Sequence, residues 1–237
     1  MDFNTNKELQ KYLTIYFNSS KQCNCKDISN MCDNCYEHIK RAQNWIDAGI
    51  PIRYFDLDIE VLKSKNTILN KNQYMLKLEL YKNIKKYIDN LDINFAQGKG
   101  ILICGDFGIG KTTALMNIAK AAVNKNKNIE VVYMTELLER IYNGNSIINE
   151  IPNLDAIFIE DFTNCYVKKE SNFVDTVIDS ILSLCIKYNV SLFITSNFDK
   201  KQLNDKLTPH AFSLLHEICD FYSLEGVDFR KSNHYDR

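Results

Sequence analysis

An apolar run, Ile101-Leu102-Ile103-Cys104, stops on Gly105-Asp106-Phe107-Gly108-Ile109-Gly110-Lys111-Thr112, after which Leu115, Ile118, Ala119, Ala122 and Val123 recur at helical spacing. The first segment reads as a buried strand and the last as a helix with one packed face. The turn between them is a complete G-x-x-x-x-G-K-[ST] pattern, whose glycines let the backbone wrap an anion with its N–H groups turned inward, at the positive end of the helix starting near Lys111. A turn that only joined two core elements would need neither Lys nor Thr. The pattern predicts an ATP site formed by Gly105, Asp106, Phe107, Gly108, Ile109, Gly110, Lys111, Thr112 and Thr113. Lys111, expected to be exposed at the loop, would reach the β and γ phosphates, and the Thr112 hydroxyl would hold Mg²⁺.

With 237 residues, 45% of them hydrophobic, the chain has room for one full domain and a small appendage. Its formal net charge is −1, so no global basic field announces nucleic acid, and any contact with DNA has to come from a local patch. Tyr166, Lys168 and Lys169 are such a patch, able to stack a base and neutralise phosphates; they read equally as a solvated loop. No charged-then-apolar leader opens the chain and no run approaches eighteen apolar residues, so the expectation is a soluble, cytoplasmic protein with no membrane association.

Eight cysteines would suit disulfides in a secreted protein, but a nucleotide site belongs to a reducing compartment. Four of them form Cys23-x-Cys25, six residues, then Cys32-x-x-Cys35, a set of soft thiolates suited to tetrahedral, closed Zn²⁺ coordination. His38 could substitute as a ligand, but with four cysteines present it reads as a surface or packing residue. Thr5-x-x-Glu8 reads as a capping box before a helix with Leu9, Tyr12, Leu13 and Tyr16 on one face. Cys35, Ile39, Ala42 and Ile46 share a second helical face. About fifty residues hold too little core to fold unaided, and the metal supplies the missing free energy. Residues 1–48 carry six basic and six acidic side chains, so the zinc module is neutral to acidic and fits a protein partner better than a phosphate backbone. Tyr12, Tyr16, Tyr36 and Trp45 read either as anchors for that partner or as the module's own core.

The expected layout is a zinc module at 1–48, a linker at 49–70 that begins where Ile50-Pro51 breaks a helix, and an ATPase domain at 71–237. In the last, Leu80, Tyr81, Ile84, Ile88 and Leu91 mark a helix. Ile129–Met134, Ala156–Ile159 and Val190–Thr195 read as strands, with helices at Glu136–Tyr142 and from Val174 to Cys185. Strands alternating with helices mean an α/β fold with a parallel sheet and helices on its faces. Two strand ends carry polar groups. Glu160-Asp161 offers one carboxylate for a Mg²⁺-bound water and one for the attacking water. One register puts Glu160 on magnesium with Asp161 as base; the other makes Asp161 the metal ligand and leaves Phe162 where the base should be. Asn197, after Thr195-Ser196, stands where an amide can sense the γ-phosphate.

Together these residues resemble the DnaC/IstB-type AAA+ ATPases, in particular helicase loaders with an amino-terminal zinc-binding domain. The resemblance runs over roughly residues 45–232, through Ala48-Gly49-Ile50-Pro51 with Arg53-Tyr54, the phosphate loop, Leu154-Asp155-Ala156-Ile157-Phe158-Ile159-Glu160-Asp161, Ile194-Thr195-Ser196-Asn197 and Leu224-Glu225-Gly226-Val227-Asp228-Phe229-Arg230. It implies a ring- or spiral-forming ATPase that delivers a replicative DnaB-type helicase onto single-stranded DNA, binding the helicase through residues 1–48. It makes Arg230 the sensor 2 arginine, and the stop at Arg237 leaves no room for a helical lid domain. One position departs: where the family has Ser-Arg this chain has Ser213-Leu214, so the arginine finger is missing, and only five arginines exist to replace it. Weak intrinsic hydrolysis is therefore expected. Competing readings are an IstB-like transposition helper, a phosphate-loop nucleotide kinase, against which the shortage of arginines counts, and a non-hydrolysing ATP-binding adaptor.

Overall fold

A computed structural model describes residues 6–18, 25, 27–63, 69–144, 147–163, 172–226 and 228. Cys23, Arg230, Tyr166, Lys168 and Lys169 lie outside the described residues. The chain divides into two compact units, residues 1–57 and 58–237.

The first unit is a pair of helices, α1 (Lys7–Asn18) and α2 (Asp33–Asp47). Thr5 is outside the described residues, and Asn6 caps α1: its Oδ1 accepts the N–H groups of Glu8 (3.0 Å) and Leu9 (3.2 Å). Leu9, Tyr12 and Leu13 of α1 and Cys35, Ile39 and Ala42 of α2 are buried, joined by Ala48, Ile50, Tyr54 and Phe55. Aromatic rings make up much of this small core. Phe55 packs edge-on against Tyr12 (5.0 Å) and Trp45 (5.1 Å), and Tyr16 stacks on His38 (4.6 Å). Tyr12, Tyr16 and Trp45 thus serve the unit's own packing, while Tyr36 is 40% exposed. Within the stretch expected as a linker, the apolar residues Ile50, Tyr54, Phe55 and Leu62 are all buried.

The second unit is built on a five-stranded, all-parallel sheet. In chain order it contains α3 (Lys71–Asp89), α4 (Leu91–Ala96), β1 (Gly100–Gly105), α5 (Lys111–Asn124), β2 (Ile129–Tyr133), α6 (Met134–Tyr142) and α7 (Ile147–Glu150). Then follow β3 (Ala156–Glu160), α8 (Asn172–Tyr188), β4 (Ser191–Ser196), α9 (Lys200–Lys206), α10 (Pro209–Ile218) and β5 (Cys219–Leu224). The spatial order is β2-β3-β4-β1-β5. Alternate side chains of each strand point to opposite faces. On one face Phe158 stacks on Phe193 at 4.2 Å, and Tyr87 of α3 and Phe95 of α4 close over Phe193; α5 packs beside α3. On the other face Leu102, Cys104, Ile157, Ile159, Leu192 and Ile194 meet Val177, Ile178, Ile181, Leu182 and Cys185 of α8, with Leu203 of α9 and Leu215 of α10. Burial on both faces is why β1, β3 and β4 are nearly continuous apolar runs. Among the described residues no helix is long and apolar enough to cross a membrane.

Candidate functional site

Strand β1 delivers Gly105 to the carboxyl edge of the sheet, and the chain turns through Gly105 (φ 133°), Gly108 (φ 73°) and Gly110 (φ 102°) before α5 starts at Lys111. These backbone angles disfavour any side chain. Space does too: a Cβ on Gly105 would lie 1.9 Å from the Leu224 carbonyl oxygen, and one on Gly108 1.7 Å from Asp228 Oδ1. Residues that follow β5 therefore lie against the loop. Asp106 is exposed, Phe107 at the tip is 62% exposed, and Ile109 is buried. Thr112 and Thr113 are half-buried in the first turn of α5.

Lys111 departs from expectation. It is 6% exposed, not open to solvent. Its Nζ donates to the carbonyl oxygens of Gly105 (2.7 Å) and Asp106 (2.6 Å) and to Asn197 Oδ1 (2.9 Å). A cation surrounded by backbone carbonyls is strongly held, since each such bond is charge-assisted. The same contact brings together two residues singled out separately in the sequence, because β4, which ends at Ser196 just before Asn197, lies beside β1.

On the other side of β4, strand β3 ends at Glu160, which is 2% exposed and pairs in register with Tyr133 of β2. Strand alternation puts Glu160 on the Phe158 face, the face that α5 covers. Asp161 then turns into the left-handed region, φ 51°, which a short acidic side chain tolerates better than most. Its N–H donates to Thr195 Oγ1 on β4 at 3.0 Å. Phe162 enters the core cluster on the opposite face, and the buried Thr163 Oγ1 accepts the Asn197 N–H at 3.4 Å. Thr195 and Thr163 tie these strand ends together, and motif reading gives neither of them a role. Their signal was slight: a hydroxyl near a strand end is commonplace, and only the pairing of β3 with β4 shows what it reaches.

In the amino-terminal unit, the sulfurs of Cys25, Cys32 and Cys35 lie within 4.8 Å of one another. Cys35 is buried and Cys32 is exposed at the start of α2. The Cys32 N–H donates to Cys25 Sγ (3.3 Å) and the Tyr16 hydroxyl to Cys35 Sγ (3.3 Å). Donors aimed at sulfur favour thiolate charge, as in the outer shell of a metal site, so these residues fit a zinc ion. His38 is engaged elsewhere: its Nε2 is 2.5 Å from the Tyr12 hydroxyl. Burial and nearby Arg41 both lower the pKa of His38, against the opposing effect of Asp56.

Across 232 aligned residues the chain is 23% identical to the replicative helicase loader DnaI of Bacillus subtilis (strain 168), covering 85% of this chain and 72% of that one. No known family profile matches it. Among solved structures, the DnaC helicase loader covers 73% of this chain and 99% of its own, with a TM-score of 0.60 at 17% identity. The chain shares the AAA+ fold of the DnaC-type helicase loaders. DnaA from Aquifex aeolicus bound to AMPPCP has the fold as well, with a TM-score of 0.54 at 15% identity over 72% of this chain and 50% of that one. Within this AAA+ frame, Leu214 on α10, at the position expected to carry an arginine finger, is half-buried and packed on the core cluster. Arg140 is ion-paired with Glu130 (2.8 Å) and Glu136 (2.5 Å), and Arg53 lies over the Tyr54 ring at 4.8 Å. Arg41 is exposed on α2.

Proposed function

We propose that this chain is an ATP-binding helicase loader, which uses bound nucleotide to set its grip on a replicative hexameric helicase and delivers that helicase onto single-stranded DNA. The observation that carries the reading is the alignment with DnaI over 85% of the chain; a phosphate loop and a cysteine cluster in the same chain support it. The loop from Gly105 to Thr113 binds the triphosphate, with Lys111 on the β and γ phosphates. Thr112 and Glu160 hold Mg²⁺, which neutralises phosphate charge when bound. Asp161 accepts the proton of the attacking water, Asn197 reads the γ-phosphate, and Arg230 reads the nucleotide of its own subunit. Zinc on Cys23, Cys25, Cys32 and Cys35 folds the module at residues 1–48 that docks on the helicase, ahead of a linker at 49–70 and the ATPase domain at 71–237.

Intrinsic hydrolysis is slow in this account. Leu214 contributes no charge where a finger would stabilise the transition state, and Arg140 is committed to Glu130 and Glu136. Leu214 equally supports a second reading, an ATP-binding adaptor that does not hydrolyse at all. The test is capture of the replicative helicase of the same source by the full chain, with ATP, with a non-hydrolysable analogue and with no nucleotide. The expected result is retention that changes with nucleotide and loses that dependence in Lys111→Ala. No retention under any condition would overturn the loader assignment, and retention indifferent to nucleotide would overturn the switch.

A further inference from the structure

We propose that Thr195 is a positioning residue for ATP hydrolysis, holding the backbone turn that aims Asp161. The inference rests on the reading of Asp161 as the base. In that reaction the water oxygen bonds to the γ-phosphorus as the bond to the β–γ bridging oxygen breaks. The leaving electron pair goes to ADP and the proton to the Asp161 carboxylate. A base of this kind needs its carboxylate held within a fraction of an ångström.

Strand geometry alone does not hold it. Regular alternation would send residue 161 to the face opposite Glu160, where Phe162 is packed, but the left-handed turn at Asp161 breaks that alternation. Even for an aspartate such a conformation costs free energy, which contacts around the turn offset. The side-chain contact at this turn is the 3.0 Å bond from Asp161 N–H to Thr195 Oγ1, and Thr195 is itself 0% exposed in the sheet. Its placement connects three parts of the site. Thr195 pairs with Ile103 of β1, the strand that enters the phosphate loop, and two residues later Asn197 meets the Lys111 ammonium. Thr163 returns the connection by accepting the Asn197 N–H. The end of β4 thus touches the phosphate-binding lysine with one residue and the turn at Asp161 with another. A change at the phosphates reaches Asp161 through a short, half-buried route.

A hydrogen bond that only stabilised the sheet would sit in the same place, so the test separates the two roles. Steady-state phosphate release by the full chain is measured for wild type, Thr195→Val, Thr195→Ser and Asp161→Asn, with Lys111→Ala as the zero baseline. Thr195→Val keeps the branched shape and removes the acceptor, and Thr195→Ala replaces it where the valine does not fold. The expected result is turnover lowered about tenfold by Thr195→Val, with KM for ATP and affinity for a fluorescent ATP analogue within about twofold of wild type. Thr195→Ser restores turnover, and in the Asp161→Asn background Thr195→Val has no further effect. Wild-type turnover in Thr195→Val overturns the proposal, as do failure of the serine to rescue, loss of ATP affinity, or additive losses with Asp161→Asn. A wild-type chain that binds ATP but releases no more phosphate than Lys111→Ala overturns it while leaving ATP binding intact. A wild-type chain that does not bind ATP overturns the proposed function with it.

Discussion

Lys111 holds the residue-scale balance of this molecule. Three oxygens, two from the loop itself and one from Asn197, take its ammonium while the side chain is 6% exposed. We expect Lys111→Ala to fold, because the freed oxygens sit beside the exposed loop tip where water can replace the ammonium. Melting should fall by a few degrees, in line with about 1–3 kcal/mol for lost charge-assisted bonds, and ATP affinity should fall at least tenfold. Calorimetry and titration with a fluorescent nucleotide check both; affinity near that of wild type would remove Lys111 from the phosphates. The phosphate-loop residues were legible because the chemistry is local, eight positions in a row. The burial of Lys111, the Thr195 bond to Asp161 and the Asp228 carboxylate beside Gly108 were not legible, since each depends on a residue tens of positions away that only the sheet brings near.

At the scale of elements, α1 and α2 form a small unit held by a few aromatic rings and the cysteine cluster between them. Trp45 is the single tryptophan of the chain, so its fluorescence reports on residues 1–57 alone. The expected outcome is one zinc ion per chain, and a chelator that shifts Trp45 emission while leaving the larger unit folded. Thiol chemistry gives an independent check. Burial pushes the Cys104 and Cys185 thiols up to about 12 and Cys219 well above its usual range, so at pH 8 they stay protonated and shielded. After chelation iodoacetamide should therefore modify Cys25, Cys32 and Cys35 and spare Cys104, Cys185 and Cys219, as read by peptide mass spectrometry. Zinc far below one per chain, or emission unchanged by chelation, would count against a structural metal. Strands β1, β3 and β4 were readable in the sequence as apolar runs because both of their faces are covered. Helix α9 and strand β5 were not: α9 buries only Leu203, and β5 alternates poorly, with Asp220 and Ser223 exposed on an edge strand.

At the scale of the whole molecule, the reading of Leu214 predicts behaviour that an isolated subunit does not have. Leu214→Arg should raise turnover only where subunits assemble, such as at high concentration or on single-stranded DNA, because a finger acts on its neighbour's phosphates. Phosphate release measured across protein concentration checks this; stimulation that is independent of concentration would place the arginine's effect within its own subunit. The strand order β2-β3-β4-β1-β5 has a different kind of consequence, one for how the protein is made. Strand β1 is emitted first of the five yet ends up between β4 and β5, the last two to leave the ribosome. At about 5–20 residues per second, on the order of ten seconds pass between the emergence of the phosphate-loop strand and that of its first neighbour. Through that interval Ile101, Leu102 and Ile103, buried in the finished sheet, have no neighbouring strand to pair with, so the nascent chain carries an apolar segment open to chaperone capture.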